Sequence, residues 1–315
     1  MVDRRLMLAS LAVLGGVLAA LACGRGAAPV SQPVGTAPVE AAVQPPDQQR
    51  SLSVGGQQRS YLLHLPAVFD PARPAPLVLV FHGIGLNGQE MVRITGFNQQ
   101  ADLNGFIVVY PEGTGRQPSW NGGDCCGEAA AKQVDDVGFV RTLLDDLGQV
   151  ARIDPQRVYA TGFSNGAIMA YRLGCDLADR IAAIGPVGAA QATLECVPAR
   201  PLPVIHFHGD ADRLNPYLGG PRPGGLTFRA VEENVGWWVD QNGCQPQPSE
   251  TQTGNIVHRV FSGCTAGAGV ELYKILGGEH AWPGGEAVSA EVGQPTTEIT
   301  ATPLIWAFFA AHPLP

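Results

Sequence analysis

From about residue 75 onward, largely apolar runs alternate with stretches whose apolar residues recur every three or four positions. APLVLVFHG (75–83), GFIVVYPEG (105–113), VYATGF (158–163), RIAAIGPVGA (180–189) and PLPVIHFHGD (201–210) are short and mostly apolar. Runs of this kind read as strands buried on both faces. VDDVGFVRTLLDDLGQVAR (134–152) has helical spacing, with Asp135 or Asp136 as its N-cap. Helical spacing also marks the segment from Asn165 to Leu173, TFRAVEENVGWWVDQNG (227–243) and TPLIWAFFAAH (302–312). IVHRVFSG and VELYKILGG read as two further strands. Ahead of all these, SLSVGGQQRSYLLHLP predicts a hairpin turning at Gly55-Gly56. The pattern predicts an α/β fold: a mostly parallel sheet with helices on both faces, preceded by an N-terminal hairpin. No internal repeat interrupts it.

The first fifty residues follow a different pattern. Arg4 and Arg5 precede an apolar run from Leu6 to Ala22 containing Gly15-Gly16, the layout of a signal peptide over 1–22. Ala20-Leu21-Ala22 then Cys23 allows cleavage after an A-x-A site or lipidation of Cys23; the cysteine tilts the reading towards a lipoprotein. A lipid there is the one expected link to a membrane. Residues 23–50, with prolines at 29, 33, 38, 45 and 46, read as an extended tether. The catalytic domain is expected over 51–315, outside the cytoplasm or at the cell surface.

Composition narrows the partners. The 315-residue chain is 45% hydrophobic and 15% charged, enough apolar content for a large core. Its net charge of −8 argues against nucleic acid, which needs a basic face. Cys23 aside, six cysteines remain, an even set that suggests disulfides in an exported protein. Cys175–Cys196 and Cys244–Cys264 are candidate pairs. A direct bond between the adjacent Cys125 and Cys126 would strain the chain, so those two are expected to pair elsewhere or stay reduced. No C-x-x-C pair or His/Cys cluster has zinc spacing, so no metal is expected.

The candidate chemistry centres on RVYATGFSNGAIMAYR (157–172). Gly162-Phe163-Ser164-Asn165-Gly166 fits G-x-S-x-G, in which a serine sits on a sharp strand-to-helix turn and glycines avoid clashes as the backbone doubles back. A nucleophilic serine needs an acid and a histidine, and in this architecture they follow in that order. VIHFHGDADRLNPY (204–217) supplies Asp212, with Asp210 as the alternative. GGEHAWPGG (277–285) places His280 in a glycine-flanked loop after the last strand. An oxyanion hole needs two backbone N–H groups. Asn165, following the serine, is one candidate; Ile84 in FHGIGLNG (81–88) is the other, with Gly83 second. His82 reads as a buried support for that loop. Trp120 and Trp282 are candidate walls of the substrate pocket, the alternative being that they pack their loops.

Together HG (82–83), WNGGDCCG (120–127), VDDVGF (134–139), IDPQRVYATGFSNGAIMAYRL (153–173), HGDAD (208–212) and GGEHAWPGG (277–285) resemble exported bacterial esterases of the poly(3-hydroxybutyrate) depolymerase and feruloyl esterase family. The resemblance spans essentially all of 51–315. It implies an α/β-hydrolase fold, no cofactor, and a triad of Ser164, Asp212 and His280. It also implies cleavage of hydroxycinnamoyl or acetyl esters of plant polysaccharides, or of polyester chains. With no separate polymer-binding module in view, soluble esters or oligomers are favoured. Two rivals are an exported serine peptidase of the same fold and a catalytically silent surface lipoprotein used for binding.

Overall fold

The computed structural model describes residues 47–315 apart from Leu194, residues 222–226 and Glu291. The leader, Cys23 and most of the tether lie outside the described residues.

The fold opens with β1 (Asp47–Val54) and β2 (Gln57–His64), paired antiparallel from Asp47↔His64 to Val54↔Gln57. Gly55 and Gly56 make the turn with φ of 56° and 81°. Two successive positive φ angles match the right-handed twist of a hairpin and suit glycine. The chain continues through β3 (Ala75–Phe81), α1 (Gly88–Thr95), α2 (Phe97–Asn104), β4 (Ile107–Pro111), α3 (Gly127–Ala131) and α4 (Asp136–Val150). Next come β5 (Ile153–Phe163), α5 (Asn165–Asp176), β6 (Ala183–Val187) and β7 (Val204–Gly209). A two-residue ribbon, β8 (Gly220–Pro221) with β9 (Thr227–Phe228), precedes α6 (Val231–Gln241). The chain ends with β10 (Ser249–Thr253), β11 (Ile256–Phe261), β12 (Val270–Ile275) and α7 (Ala301–Ala311).

One ten-stranded sheet runs in the order β1-β2-β4-β3-β5-β6-β7-β12-β11-β10. Its centre, from β4 to β12, is parallel, and antiparallel strands flank it on both sides. Both faces of the centre are covered, which explains the apolar strand sequences. On β3, Leu77, Leu79 and Phe81 pack into one layer with Phe139, Leu143 and Leu147 of α4 and Tyr171 of α5. Val78 and Val80 face the opposite layer with Met91 and Ile94 of α1, Phe97 of α2, and Ile305 and Phe309 of α7. Side chains alternate across a strand, so a run buried on both sides must be apolar throughout.

Several elements differ from the sequence expectation. β1 starts at Asp47, so residues 47–50, read as tether, belong to the sheet. Of its eight residues only Leu52 is buried, which leaves almost no hydrophobic signal. Helices α1 and α2 were not expected. Yet α1 carries a capping box: the Asn87 side chain accepts from Glu90 N, and Glu90 accepts from Asn87 N, each at 2.9 Å. Helix α2, FNQQADLN, has little apolar patterning to read. Strand β10, SETQT, is exposed along its whole length at the sheet edge.

The two acidic residues at the start of α4 divide their work. Asp135 is the N-cap, accepting from Gly138 N at 2.8 Å. Asp136 is buried; it pairs with Arg59 at 2.8 Å and accepts from Asn121 N at 2.8 Å. Arg59 also lies 3.9 Å from the Phe139 ring centroid. Burial raises the Asp136 carboxyl above its usual range, against the opposing pull of the Arg59 charge. This ion pair ties the hairpin to the WNGG loop.

Three disulfides occur among the described residues. Cys175–Cys196 and Cys244–Cys264 form as expected. The third joins Cys125 directly to Cys126, contrary to expectation. The other four described cysteines are already paired, so no other partner is at hand among the described residues. Cys125 is buried among Ala167, Ile168, Ala189 and Phe228.

Candidate active site

The site assembles at the carboxyl ends of the parallel strands. Ser164 sits between the end of β5 and the start of α5, with φ 58° and ψ −119°. This region is costly for a side-chain-bearing residue and is held only where the surroundings enforce it. Ser164 N donates to Val187 O at 2.9 Å, and Ser164 O accepts from Ala167 N at 2.9 Å. The flanking glycines are required. A Cβ at Gly162 would strike the carbonyl of Gly166, and one at Gly166 would strike the Phe81 carbonyl. Gly166→Ala is therefore expected to lower unfolding free energy by about 3 kcal/mol, the upper end for overpacked interiors. The urea midpoint checks this; an unchanged midpoint would contradict it.

His280 lies in the loop after β12 and is 3% exposed. Its Nδ1 donates to Asp212 Oδ2 at 2.6 Å, and its ring packs on Phe163 with centroids 4.7 Å apart. Asp212 Oδ1 accepts from Leu214 N at 2.8 Å and Asn215 N at 2.7 Å. Burial alone would raise the Asp212 carboxyl, but hydrogen bonds from His208 and His280 outweigh it and hold the group well below the usual range. Asp212 is thus a firm anion. Asp210, the alternative acid, points elsewhere: it accepts from Gly277 N at 2.6 Å and lies 3.6 Å from Lys274 Nζ, pinning the base of the histidine loop.

Ser164 and His280 share one cavity of about 250 Å³. Its walls are Ile84, Leu86, Phe163, Ile168, Leu214, Val288 and Val292, with Cys126 of the vicinal disulfide. Gly83 and Asn165 also line it. The Gly83 backbone passes close to the serine: a Cβ there would lie 3.3 Å from Ser164 Cβ. In this loop Gly85 N donates to Pro118 O at 2.9 Å and Leu86 N to Gly83 O at 3.1 Å. Among the described residues, no group of three or more His, Cys, Asp or Glu could hold a metal.

The two expected pocket tryptophans are elsewhere. Trp120 is fully buried, edge-on to Phe81 at 5.1 Å, and its Nε1 donates to His82 O at 3.0 Å. Trp282 is 1% exposed, and its Nε1 donates to Thr302 Oγ1 at 3.0 Å. Neither lines the cavity, because each indole satisfies its N–H inside the core. Trp120 instead supports the site from behind. Trp120 N donates to Asn165 Oδ1 at 2.7 Å, and Asn165 Nδ2 donates back to Trp120 O at 3.1 Å. The Asn165 side chain thereby locks the first residue of α5. Ile84 apart, the apolar walls were missed in the sequence; Phe163 and Ile168 flank the serine and were within reach of it, whereas Val288 and Val292 carry no local signal.

The match to known proteins decides the family. The family model described as "Esterase PHB depolymerase" matches residues 59–193. Feruloyl esterase B of Piromyces equi is 33% identical over 237 residues, 71% of this chain and 42% of that protein. The provisionally named esterase NocK of Nocardia uniformis subsp. tsuyamanensis is 32% identical over 308 residues, 85% of this chain and 88% of that protein. The chain belongs to the PHB-depolymerase esterase family. It is a carboxylic-ester hydrolase. The fold agrees: an acetyl xylan esterase from Aspergillus awamori superposes with a TM-score of 0.55 at 14% identity, covering 74% of this chain and 94% of that one.

In this esterase His82 is a structural group. It is fully buried; Nδ1 donates to Gly83 O at 2.7 Å and Nε2 accepts from Gly113 N at 2.9 Å. Burial, helped by the Arg59 charge and opposed by the Gly83 bond, lowers it to about 4. A neutral ring is what this donor–acceptor pattern requires. The esterase thus holds its Gly83–Ile84 loop from both sides, through His82 and through Trp120.

Proposed function

We propose that the esterase cleaves uncharged carboxylic esters by two-step acyl transfer on Ser164. The observation that carries this is a serine on a strained elbow facing the same apolar cavity as a histidine hydrogen-bonded to a buried carboxylate. His280 Nδ1 donates to Asp212, which leaves Nε2 as the base for the Ser164 proton. Asp212 fixes that tautomer and stabilises the imidazolium. The oxyanion is met by Asn165 N–H and by the Ile84 N–H, with Gly83 as its alternative. An amide in the first helical turn has no intrahelical partner and lies at the positive end of the helix dipole. Loss of one such donor typically costs about 10²–10³ in rate. The alcohol then leaves with the proton from His280, and water releases the acid by the reverse route.

The proposed substrates are hydroxycinnamoyl or acetyl esters of plant polysaccharides, or short polyester chains. The family name and the feruloyl esterase relative support this class. A cavity of about 250 Å³ with apolar walls suits a small apolar acyl group; pockets for drug-sized ligands run to about 300–1,000 Å³. The protein acts outside the cytoplasm on this reading, and three disulfides agree with an oxidising compartment.

Hydrolysis of p-nitrophenyl butyrate and methyl ferulate by the wild-type protein tests the substrate class. Turnover of ferulate assigns it to feruloyl esters; turnover of butyrate alone assigns it to short-chain or polyester substrates. Cleavage of peptide p-nitroanilides with neither ester turned over would overturn the reading in favour of a peptidase. Inertness towards all three would favour the silent scaffold.

A further inference from the structure

Behind Asp212 lies a buried polar chain that the triad does not use. His208 sits on β7 with its Nε2 2.8 Å from Asn215 O and 3.4 Å from Asp212 Oδ2. His208 Nδ1 is 3.1 Å from His206 Nε2, and His206 Nδ1 is 2.8 Å from Tyr171 Oη. Asn234 Nδ2 donates to Tyr171 Oη at 2.8 Å, and Asn234 Oδ1 accepts from Gln191 N at 3.1 Å. His206, His208 and Asn234 are all at least 98% buried, and Tyr171 is fully so. The chain links α6, the nucleophile helix α5, strand β7 and the loop carrying the acid.

With both rings neutral, the partners fix every proton. His208 Nε2 faces two acceptors, a carbonyl and a carboxylate, so it must carry hydrogen. A neutral ring then leaves Nδ1 bare, able only to accept. His206 Nε2 must therefore be protonated, which leaves His206 Nδ1 to accept from the Tyr171 hydroxyl. The Tyr171 oxygen in turn accepts from Asn234. Every donor from α6 to the acid loop then meets an acceptor, whereas the reverse direction would set a bare His208 Nε2 against two acceptor oxygens. Burial holds His206 well below the usual histidine range, which keeps it neutral.

We propose that His208 is a positioning residue for Asp212, with its Nε2 proton held towards the acid loop by the Asn234–Tyr171–His206 chain. Its hydrogen bond to Asn215 O restrains the loop that carries the acid, and sets the same N–H 3.4 Å from the Asp212 oxygen that receives His280. Asn215 Nδ2 also donates to Gly188 O at 2.8 Å, so the restraint reaches the loop behind the His280 ring. A Cβ at Gly188 would lie 3.4 Å from His280 Cε1, so a small shift of this loop would move the base. The inference rests on the triad reading proposed above.

Two measurements test it. In the wild-type protein, long-range ¹H–¹⁵N spectra read which nitrogen of each ring carries hydrogen. The expected result is Nε2–H with a bare Nδ1 for both His206 and His208. Nδ1–H on either ring would overturn the proposal. Kinetics with p-nitrophenyl butyrate then compare His208→Leu, His208→Gln and Tyr171→Phe, beside Ser164→Ala. His208→Leu should lower kcat about 10- to 100-fold, the scale by analogy of losing the outer hydrogen-bond partner of a metal-binding histidine or carboxylate, with KM within about two-fold. Gln sets an N–H near the place of Nε2 and should restore kcat to within a few-fold of wild type. Tyr171→Phe, which deletes a single oxygen, should lower kcat without changing KM. Wild-type kcat in His208→Leu, with Ser164→Ala inactive, would overturn the positioning role alone. Full activity in Ser164→Ala would overturn the triad reading itself. Should His208→Leu fail to fold, the spectra and Tyr171→Phe decide.

Discussion

Ser164→Ala is expected to lower kcat for p-nitrophenyl butyrate by about 10⁶, the loss seen when a triad nucleophile is removed, and to leave KM nearly unchanged. The size follows from the division of labour in the site. On the proposed mechanism the serine oxygen is the atom that bonds to the acyl carbon, and no other residue lining the cavity is assigned that role. The oxyanion donors and the apolar walls survive the mutation, so binding persists and a residual rate of about 10³–10⁴ over water remains. The mutation also relieves little of the elbow, because alanine at φ 58° is as strained as serine. Stability should therefore stay close to wild type, which separates lost chemistry from lost folding. Stopped assays with equal folded protein, verified by circular dichroism, provide the check. A residual kcat within ten-fold of wild type would contradict the scheme.

Asp212→Asn should cost about 10⁴ in kcat, by inverting a tautomer. The geometry dictates which way the amide turns. Asp212 Oδ1 accepts two backbone N–H bonds, from Leu214 and Asn215, so the Asn oxygen must occupy that place. The NH₂ group then falls where Oδ2 met His280 Nδ1 and approached His208 Nε2. Facing a donor, His280 must present a bare Nδ1 and carry its proton on Nε2. A base protonated on the nitrogen meant for Ser164 cannot take the serine proton. The loss should ease at high pH, where hydroxide can take the serine proton in place of the ring. A kcat within ten-fold of wild type at neutral pH would show that Asp212 is not the orienting acid. Asp210→Asn, by contrast, touches the foot of the histidine loop and not the imidazole.

Much of this architecture was legible because its central strands are buried on both faces. Val78 and Leu79 point to opposite layers, yet both are apolar, and such runs admit few other readings. The glycines at 162 and 166 marked the elbow because steric conflict with Phe81 and with each other leaves no room for a side chain. His280 stood out from six other histidines by chain order. Elements that bury little were missed: the first four residues of β1 bury no side chain, β10 is exposed throughout, and α2 is polar. Helix α1 was readable from Asn87 and Glu90, since a capping box needs only those two side chains. The pocket tryptophans failed for a different reason. Position in a glycine-rich motif places a residue on the right loop, but the direction of its side chain is set by partners distant in sequence, here His82 for Trp120 and Thr302 for Trp282. The His206–His208 chain was invisible for the same reason, because its partners come from α5, α6 and the acid loop.

The most direct test of the central claim is covalent. The wild-type protein is treated with diethyl p-nitrophenyl phosphate, a reagent that phosphorylates an activated serine, and examined by intact mass and peptide mapping. The account predicts one adduct per chain, located at Ser164, formed in step with loss of esterase activity and absent from Ser164→Ala. Loss of activity with the label on another residue, or full activity after Ser164 is labelled, would contradict it.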